Sequence, residues 1–221
     1  MKTYIAHYAP LKGRKKNLDE LLSSASYKDF RFVTDEPSNN FIDQHYSPSP
    51  RLWKDRTVPL DYGSVIDYRA LSKAEISLLY KHYLMFEKIA SGNDTYALSL
   101  EDDVIFGENF KEDLKNSIEQ TPADWDFIFI GSGCNLRIPP RRLKPNKTSY
   151  LKKHPAGKCT DSFLVKQSAA VRILSTLLPF VLPIDFELNY HMMKHDMKTY
   201  WIEPPFVCQG SQNGQYTSEI N

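Results

Sequence analysis

Three consecutive carboxylates, Glu101, Asp102 and Asp103, stand between two apolar runs of the chain. The run before them, Leu98-Ser99-Leu100, predicts the end of a buried strand. Like charges held together at the edge of a core repel one another unless something neutralises them. Carboxylate oxygens suit Mg²⁺ or Mn²⁺, so the pattern indicates a divalent-cation site. An acidic turn that ends a strand is the equally open alternative.

Polar side chains also follow the first two predicted strands of the chain. In open α/β sheets, ligands bind beyond the carboxyl ends of the strands, which makes these residues candidates for a nucleotide pocket. If the strand ran on through the acidic triplet, Glu101 and Asp103 would share one face and Asp102 the other. For any one of these residues taken alone, ordinary loop polarity is the favoured explanation. The candidates are His7, Tyr8, Lys12, Arg14, Thr34 and Asp35.

The elements that position these groups alternate between strand and helix. Apolar runs predict strands over residues 2–8, 30–33, 96–100, 125–131, 162–165 and 199–202. Apolar residues at helical spacing predict helices over 14–23, 72–90, 110–118, 168–178 and 185–191. The strand–helix–strand order favours parallel pairing with right-handed crossovers. We therefore predict an α/β fold in one domain, residues 1–221, with a mostly parallel central sheet flanked by helices.

Capping signals mark three of the helix starts. Ser72 and Glu75 form a capping-box pattern, which gives Glu75 a structural role. Ser168 and Asp185 fit the N-cap positions of two later helices. Capping is the structural alternative to any chemical role for Asp185.

Three segments are predicted to be loose. Residues 38–64 are rich in prolines, including Pro48, Pro50 and Pro59, and carry Tyr46, Trp53 and Tyr62, which suits either a binding lid or a disordered loop. Residues 135–155 are basic and could meet a diphosphate or an acidic acceptor, or could simply be solvated. The tail, residues 210–221, is polar.

Composition limits the classes of function. The chain has 221 residues, 41% hydrophobic residues and a formal net charge of +1, which is typical of a globular protein without a global attraction to nucleic acid or acidic membranes. No signal-peptide core or transmembrane run is evident, so we expect a cytoplasmic protein. Cys134, Cys159 and Cys208 are widely spaced and fit small buried thiols in a reducing compartment.

The order of these pieces resembles glycosyltransferase family 25. The likeness is carried by the opening strand with Arg14 beyond it, by residues 71–82, by Leu100-Glu101-Asp102-Asp103-Val104 and by the segments around 161–185 and 204–211. Residues 71–82 are similar to the family's Leu-Ser-x-x-Glu-Ile helix ending in Ser-His, except that Lys81 stands where the family has serine. The opening Ala6-His7-Tyr8 also departs from the family, where Asn-Leu is usual.

The resemblance implies a GT-A, Rossmann-like fold, a UDP-sugar donor and Mn²⁺ or Mg²⁺ held by the acidic motif. Glu101 and Asp103 are the expected metal ligands, with His191 as a third and Gln209 as a further candidate for the metal or diphosphate site. Inversion at the sugar requires a catalytic base facing the acceptor hydroxyl. Asp185 is the first candidate, Asp161 the second and Glu187 the third. Donor contacts are expected from His7, Tyr8, Arg14, Thr34, Asp35, Lys73 and Asp102.

Three functions remain open at this point. The leading one is a metal-dependent glycosyltransferase that moves a hexose, galactose or glucose, to a glycan, lipopolysaccharide or hydroxylysine-type acceptor. The second is a metal-dependent phosphoryl-transfer or nuclease-like enzyme that uses the same carboxylates. The third is an inactive module that binds nucleotide sugars. Nucleic acid is not an expected partner.

Overall fold

The computed structural model describes residues 1–24, 29–58 and 66–217 as strands, helices and connecting turns. The strands are β1 (Thr3–Ala6), β2 (Phe30–Val33), β3 (Tyr96–Glu101), β4 (Val104–Phe106), β5 (Phe127–Phe129), β6 (Ser149–Lys152), β7 (Ser162–Lys166), β8 (Thr199–Ile202) and β9 (Val207–Gln209). The helices are α1 (Lys12–Ser24), α2 (Asn39–His45), α3 (Pro50–Arg56), α4 (Lys73–Ala90), α5 (Phe110–Gln120), α6 (Gln167–Leu177) and α7 (Ile184–Lys194).

The central sheet has the strand order β2-β1-β3-β7-β5-β8-β6. β1 is parallel to β2 and to β3, and β5 is parallel to β8. β7 is antiparallel to both of its neighbours, and β6 is antiparallel to β8. Five of the seven strands therefore point the same way, which confirms the predicted α/β fold with a mostly parallel sheet. β4 and β9 form a separate antiparallel pair.

Register between β1 and β3 fixes the position of the acidic triplet. Ala6 pairs with Glu101, so both strands end at the same level of the sheet. The residues that follow, His7 and Asp102, consequently emerge side by side. This placement agrees with the expectation that polar groups after parallel strands gather at one edge.

Side chains of the central strands alternate between two buried layers. Phe127 and Phe129 pack with Phe86 and Ile173 under α4 and α6. Ile128, between those two phenylalanines in the chain, packs on the opposite face with residues of α1 and α5. Apolar residues on both faces are typical of a sheet covered by helices on both sides.

The α4 helix begins at the predicted capping box. The Ser72 side chain accepts a hydrogen bond from the Glu75 backbone N–H, and the Glu75 side chain accepts one from the Ser72 backbone N–H. Arg69 also donates to the Glu75 carboxylate at 2.7 Å. Burial alone would raise the pKa of Glu75, but the hydrogen bonds from Arg69 and Ser72 lower it below its usual value. The structural role predicted for Glu75 is confirmed.

The prediction of one long irregular loop over residues 38–64 is wrong for the part that the structure describes. Ser38 caps α2 and Ser49 caps α3, which starts with Pro50. Trp53 is buried, and its indole N–H donates to the carbonyl of Ile66 at 2.9 Å, so it is a core residue of this region. Pro59 and Tyr62 lie outside the described residues.

Other predicted features also differ. The segment 135–155, which the sequence predicts to be loose, contains the strand β6, in which Tyr150 pairs with Trp201 of β8. The tail, which is also predicted to be loose, is held to the acidic motif at its start, where the Gly210 N–H donates to the Asp103 carbonyl at 2.7 Å.

The predicted N-caps Ser168 and Asp185 are wrong, because α6 is capped at Lys166, where β7 runs directly into the helix, and α7 at Pro183. Cys134 and Cys208 are exposed, so the prediction of buried thiols is wrong for both. None of the helices in the described residues is long and apolar enough to cross a bilayer.

Candidate functional site

A cavity of about 500 Å³ opens at the carboxyl ends of β1 and β3. Most of the residues proposed from sequence for the acidic motif and the donor pocket line it: His7, Tyr8, Arg14, Lys73, Glu101, Asp102, Asp103 and Gln209. Thr34 and Asp35 are not among its lining residues; the neighbouring Glu36 is, together with Lys81. Lys81 donates to Glu36 at 2.5 Å and to Ser77 at 2.6 Å, so this lysine and glutamate hold each other on the cavity wall.

Asp102 ties the ends of the first and third strands together. Its Oδ2 lies 2.7 Å from His7 Nδ1 and accepts from the Tyr8 N–H at 3.1 Å. Its Oδ1 accepts from the Arg14 guanidinium at 2.8 Å. Burial alone would raise the pKa of Asp102, but the hydrogen bonds from His7 and Arg14 outweigh it and lower the pKa. Asp102 is therefore a stable anion that already has its partners, and it orients Arg14 toward the cavity.

The surroundings of Asp103 shift its pKa in the opposite direction and leave it with fewer hydrogen-bond partners. Burial, and then the negative charge of Glu101, raise the pKa of this carboxyl. Its Oδ2 accepts one hydrogen bond, from the Ser211 N–H at 3.2 Å. Its Oδ1 is buried and has no hydrogen-bond partner among the described residues. A buried carboxylate beside a second acid, with an oxygen left over, is suited to a cation.

Glu101 ends β3 and is half-buried. Its Oε1 accepts from the Thr160 hydroxyl at 2.6 Å and lies 3.6 Å from His82 Nε2. The His82 ring is fully buried and stacks on Phe163. Sequence reasoning did not assign Thr160 or His82 to the site; His82 could have been found from its place at the end of the helix motif, whereas Thr160 carries no signal of its own.

Asp161 lies directly before β7 and is fully buried. Its backbone carbonyl accepts from the Glu101 N–H at 2.9 Å, and its Oδ2 accepts from the Ser162 hydroxyl at 3.0 Å. Burial, and then Glu101, raise the pKa of Asp161 to about 8. A Cβ atom on Gly131 would lie 1.8 Å from Asp161 Oδ2, so only glycine fits there. The structure thus places Asp161 next to the acidic motif, in surroundings that favour the protonated form of its carboxyl group.

Asp185 occupies the first turn of α7 and is half-buried. Burial raises its pKa to about 6, and the negative charge of Glu101 adds to the shift. Asp185 is not among the residues that line the cavity, but the negative charge of Glu101 acts on it.

The other two residues proposed on α7 serve the interior. Glu187 is fully buried; its carboxylate accepts from Arg56 at 3.1 Å and from the backbone N–H groups of Val181 and Leu182 at 2.6 and 2.9 Å. His191 Nδ1 lies 2.8 Å from the Thr176 hydroxyl, and its Nε2 lies 3.2 Å from Glu187 Oε2. These contacts occupy the Glu187 carboxylate in the interior, away from the residues that line the cavity.

The structure does not group His191 with Glu101 and Asp103, the other two residues predicted as metal ligands. Within the described ranges, no three His, Cys, Asp or Glu side chains are grouped closely enough to hold a metal ion. His191 belongs to the α6–α7 interface, because the i, i+4 spacing from Glu187 pairs the two side chains on one helix face.

Comparison with known proteins adds to this geometry. Residues 54–188, which include the acidic triplet, Asp161 and Asp185, match the family model described as "Glycosyltransferase family 25 (LPS biosynthesis protein)". The chain belongs to glycosyltransferase family 25. Human procollagen galactosyltransferase 2 is 27% identical over 171 residues, covering 70% of this chain and 27% of that protein.

A further family 25 relative differs in its described activity. The bovine "probable inactive glycosyltransferase 25 family member 3" is 33% identical over 159 residues, which cover 66% of this chain and 25% of that protein. The family 25 chain described here spans about a quarter of the length of these curated relatives.

A solved structure with the same arrangement is that of the inositol-1-phosphate CTP transferase from T. maritima. It superposes with a TM-score of 0.50 at 11% sequence identity, covering 100% of this chain and 93% of that one. This likeness concerns the fold alone, which is GT-A-like. The fold implied by the resemblance in sequence is confirmed.

Proposed function

We propose that this family 25 chain is a metal-dependent glycosyltransferase that transfers a hexose, galactose or glucose, from a UDP-sugar to an acceptor hydroxyl with inversion. The acceptor class is a glycan or a hydroxylysine-type side chain, in keeping with the procollagen galactosyltransferase among its relatives. The single observation that carries the proposal is the pair Glu101 and Asp103 on the cavity wall, with Asp103 Oδ1 buried and unpartnered in the described structure.

The oxygen atoms around this pair fit Mn²⁺ or Mg²⁺. Besides Asp103 Oδ1, the side-chain oxygen of Gln209 is buried without a hydrogen-bond partner among the described residues, and Gln209 also lines the cavity. Mg²⁺ is usually held by one or two carboxylates, with phosphates and water completing its shell. Glu101, Asp103 and Gln209 would hold the ion in this way. When bound, the ion would stabilise the negative charge that develops on the departing nucleotide diphosphate.

Cationic and aromatic groups on the same wall would bind the rest of the donor. Arg14 is fixed by Asp102 and supplies a positive charge for phosphate oxygens. Lys73 is exposed in the first turn of α4, where helix N–H groups add to the attraction for an anion. Tyr8, 45% exposed at the cavity wall, offers an aromatic face. These groups favour a nucleoside diphosphate as ligand.

Asp185 is the best supported of the three candidate bases. Its raised pKa of about 6 leaves it ionised at pH 7 and still basic enough to take the proton of an acceptor hydroxyl. Asp161, with its pKa raised to about 8, carries a proton at pH 7, which suits a base less well. The Glu187 carboxylate is occupied by Arg56 and two backbone N–H groups.

The experiment is to measure UDP release from UDP-galactose and UDP-glucose, with and without Mn²⁺, for the wild type and Asp103→Asn. Asp43→Asn is the matched control, because Asp43 is an exposed acid on α2. We expect UDP release that requires Mn²⁺ in the wild type and the control and that is lost in Asp103→Asn. Equal activity of Asp103→Asn and the wild type would overturn the proposed site.

An inactive nucleotide-sugar-binding module is the second candidate, because the bovine relative is described as inactive. This candidate expects Mn²⁺-dependent binding of UDP with no turnover of any donor, acceptor present or not. Hydrolysis of phosphate esters or nucleic acid without any response to UDP would instead support the phosphoryl-transfer alternative.

A further inference from the structure

Two cysteines that the proposed reaction does not use lie side by side next to the site. The Sγ atoms of Cys134 and Cys159 are 2.8 Å apart, although the residues are separated by 25 positions in the chain. Cys134 is exposed and Cys159 is half-buried, and both are free thiols. The folded structure, and not local sequence, therefore brings the two sulfurs together.

The backbone holds the two thiols in place from both sides. Cys134 and Cys159 have φ values of 51° and 59°, the left-handed conformation found in tight turns. The turns are packed against each other, because a Cβ atom on Gly133 would lie 2.6 Å from the Cys159 Cβ. The Cys134 N–H also donates to the Gln212 side-chain oxygen at 3.0 Å. The contact between the sulfurs is thus built into the fold.

The two thiols have different reactivity. The hydrogen bond from Cys159 lowers the pKa of Cys134, and the same hydrogen bond together with burial raises the pKa of Cys159. Since thiolates are the nucleophiles in disulfide exchange, the exposed Cys134 is the attacking group and Cys159 the resolving group.

We propose that Cys134 and Cys159 form a thiol–disulfide modification site that is oxidised by low-molecular-weight disulfides such as oxidised glutathione. The Cys134 thiolate attacks one sulfur of glutathione disulfide, which breaks its S–S bond and releases one glutathione thiolate. Cys159 then loses its proton to solvent and attacks the Cys134 sulfur, and the second glutathione leaves as thiolate. The products are one protein disulfide and two reduced glutathiones.

Closing this disulfide requires little movement. A disulfide bond is about 2.05 Å long, so the sulfurs need to approach by only about 0.8 Å from their present 2.8 Å. Metal binding by the same thiols is the competing use of such a pair, but no group of three ligating side chains surrounds them in the described structure.

Oxidation would fix the segment that supports the acidic motif. Thr160 and Asp161 directly follow Cys159, and both hydrogen-bond to Glu101. Because the cross-link closes a loop of about 25 residues, we expect the oxidised protein to melt roughly 5–10 °C higher than the reduced protein.

The test treats the purified protein with a glutathione redox series and follows intact mass, peptide mapping and thermal melting. Cys208→Ser is the matched control, because Cys208 is the third, exposed cysteine. We expect the intact mass of the wild type and of Cys208→Ser to fall by two hydrogens, and peptide mapping to yield a disulfide-linked Cys134–Cys159 peptide. Both oxidised proteins should melt at the higher temperature. Cys159→Ser should stop at the Cys134–glutathione adduct, and Cys134→Ser should form neither product.

Two results would overturn this proposal. The first is a wild-type protein that accumulates only glutathione adducts or Cys208-linked dimers. The second is a wild-type protein whose Cys134 and Cys159 remain reduced throughout the series. Neither result bears on the glycosyltransferase proposal, since the cysteines take no part in the proposed transfer.

Discussion

Asp102 and Asp103 are neighbours in the chain, yet their carboxyl pKa values are shifted in opposite directions. The pKa of Asp102 is lowered, because hydrogen bonds from His7 and Arg14 outweigh the effect of burial. The pKa of Asp103 is raised by burial and by the negative charge of Glu101. Asp102 therefore stabilises the fold, whereas Asp103 would be stabilised by a positive charge that its surroundings do not supply. This division of roles allows the two residues to be separated by experiment.

Asp102→Asn is expected to destabilise the protein at pH 7 by roughly 2–3 kcal/mol, since it leaves Arg14 and His7 without their anion. An acid whose pKa is lowered on folding contributes stability above its ordinary pKa, and that stability is lost as the pH falls through the folded value. The difference between the variant and the wild type in the free energy of unfolding, measured with urea, should accordingly become smaller below about pH 4. A difference that is constant from pH 7 to pH 3 would contradict this role.

Asp103→Asn is expected to change stability and activity in opposite directions. A carboxyl whose pKa is raised on folding weakens the folded state at pH values where it is ionised, so the neutral amide should leave the metal-free protein at pH 7 as stable as the wild type or more stable. UDP-sugar turnover should fall by roughly 10²–10³-fold, because charge stabilisation of the leaving group is lost. Urea unfolding and UDP release on the same samples check both parts, with Asp43→Asn as control.

The pH profile of kcat/KM should identify the base. If Asp185 takes the proton, kcat/KM falls tenfold per pH unit below about pH 6, the value to which its pKa is raised. Asp185→Asn should lower kcat/KM by roughly 10²–10⁴-fold and remove this acidic limb. A limb near pH 8 that survives in Asp185→Asn would assign the base to Asp161 instead.

Arg56→Met is expected to cost roughly 3–5 kcal/mol of folding stability, because it leaves the fully buried Glu187 carboxylate without its counter-ion. Arg51→Met on the same helix is the matched control: Arg51 is 92% exposed and lies 3.9 Å from Asp55, so its loss should cost less than about 1 kcal/mol. Equal destabilisation by the two changes, measured by urea unfolding, would contradict the structural assignment of Glu187.

Much of the fold could be predicted from local patterns. β2 and β8 occupy the residues predicted for them, 30–33 and 199–202, and the Ser72–Glu75 capping box fixes the start of α4. The short helices α2 and α3 were missed because the prolines around them suggested a loop, whereas Ser38 and Ser49 act as their caps.

The site was predictable in composition and less so in detail. The acidic triplet at a strand end indicated its position, and the register of Ala6 with Glu101 accounts for the cavity there. The opposite pKa shifts of Asp102 and Asp103 depend on His7 and Arg14, which are distant in sequence and hydrogen-bond to Asp102. No local pattern could reveal those contacts.

The most direct measurement of the central claim is a Mn²⁺ titration followed by the electron paramagnetic resonance signal of free Mn²⁺, in the presence and absence of UDP. We expect the wild type and Asp43→Asn to bind one Mn²⁺ tightly only when UDP is present, and Asp103→Asn to lose that binding while it remains folded. Wild-type protein that binds no Mn²⁺ when UDP is present, or Asp103→Asn that binds Mn²⁺ with UDP as tightly as the wild type does, would contradict the claim that Glu101 and Asp103 hold the ion.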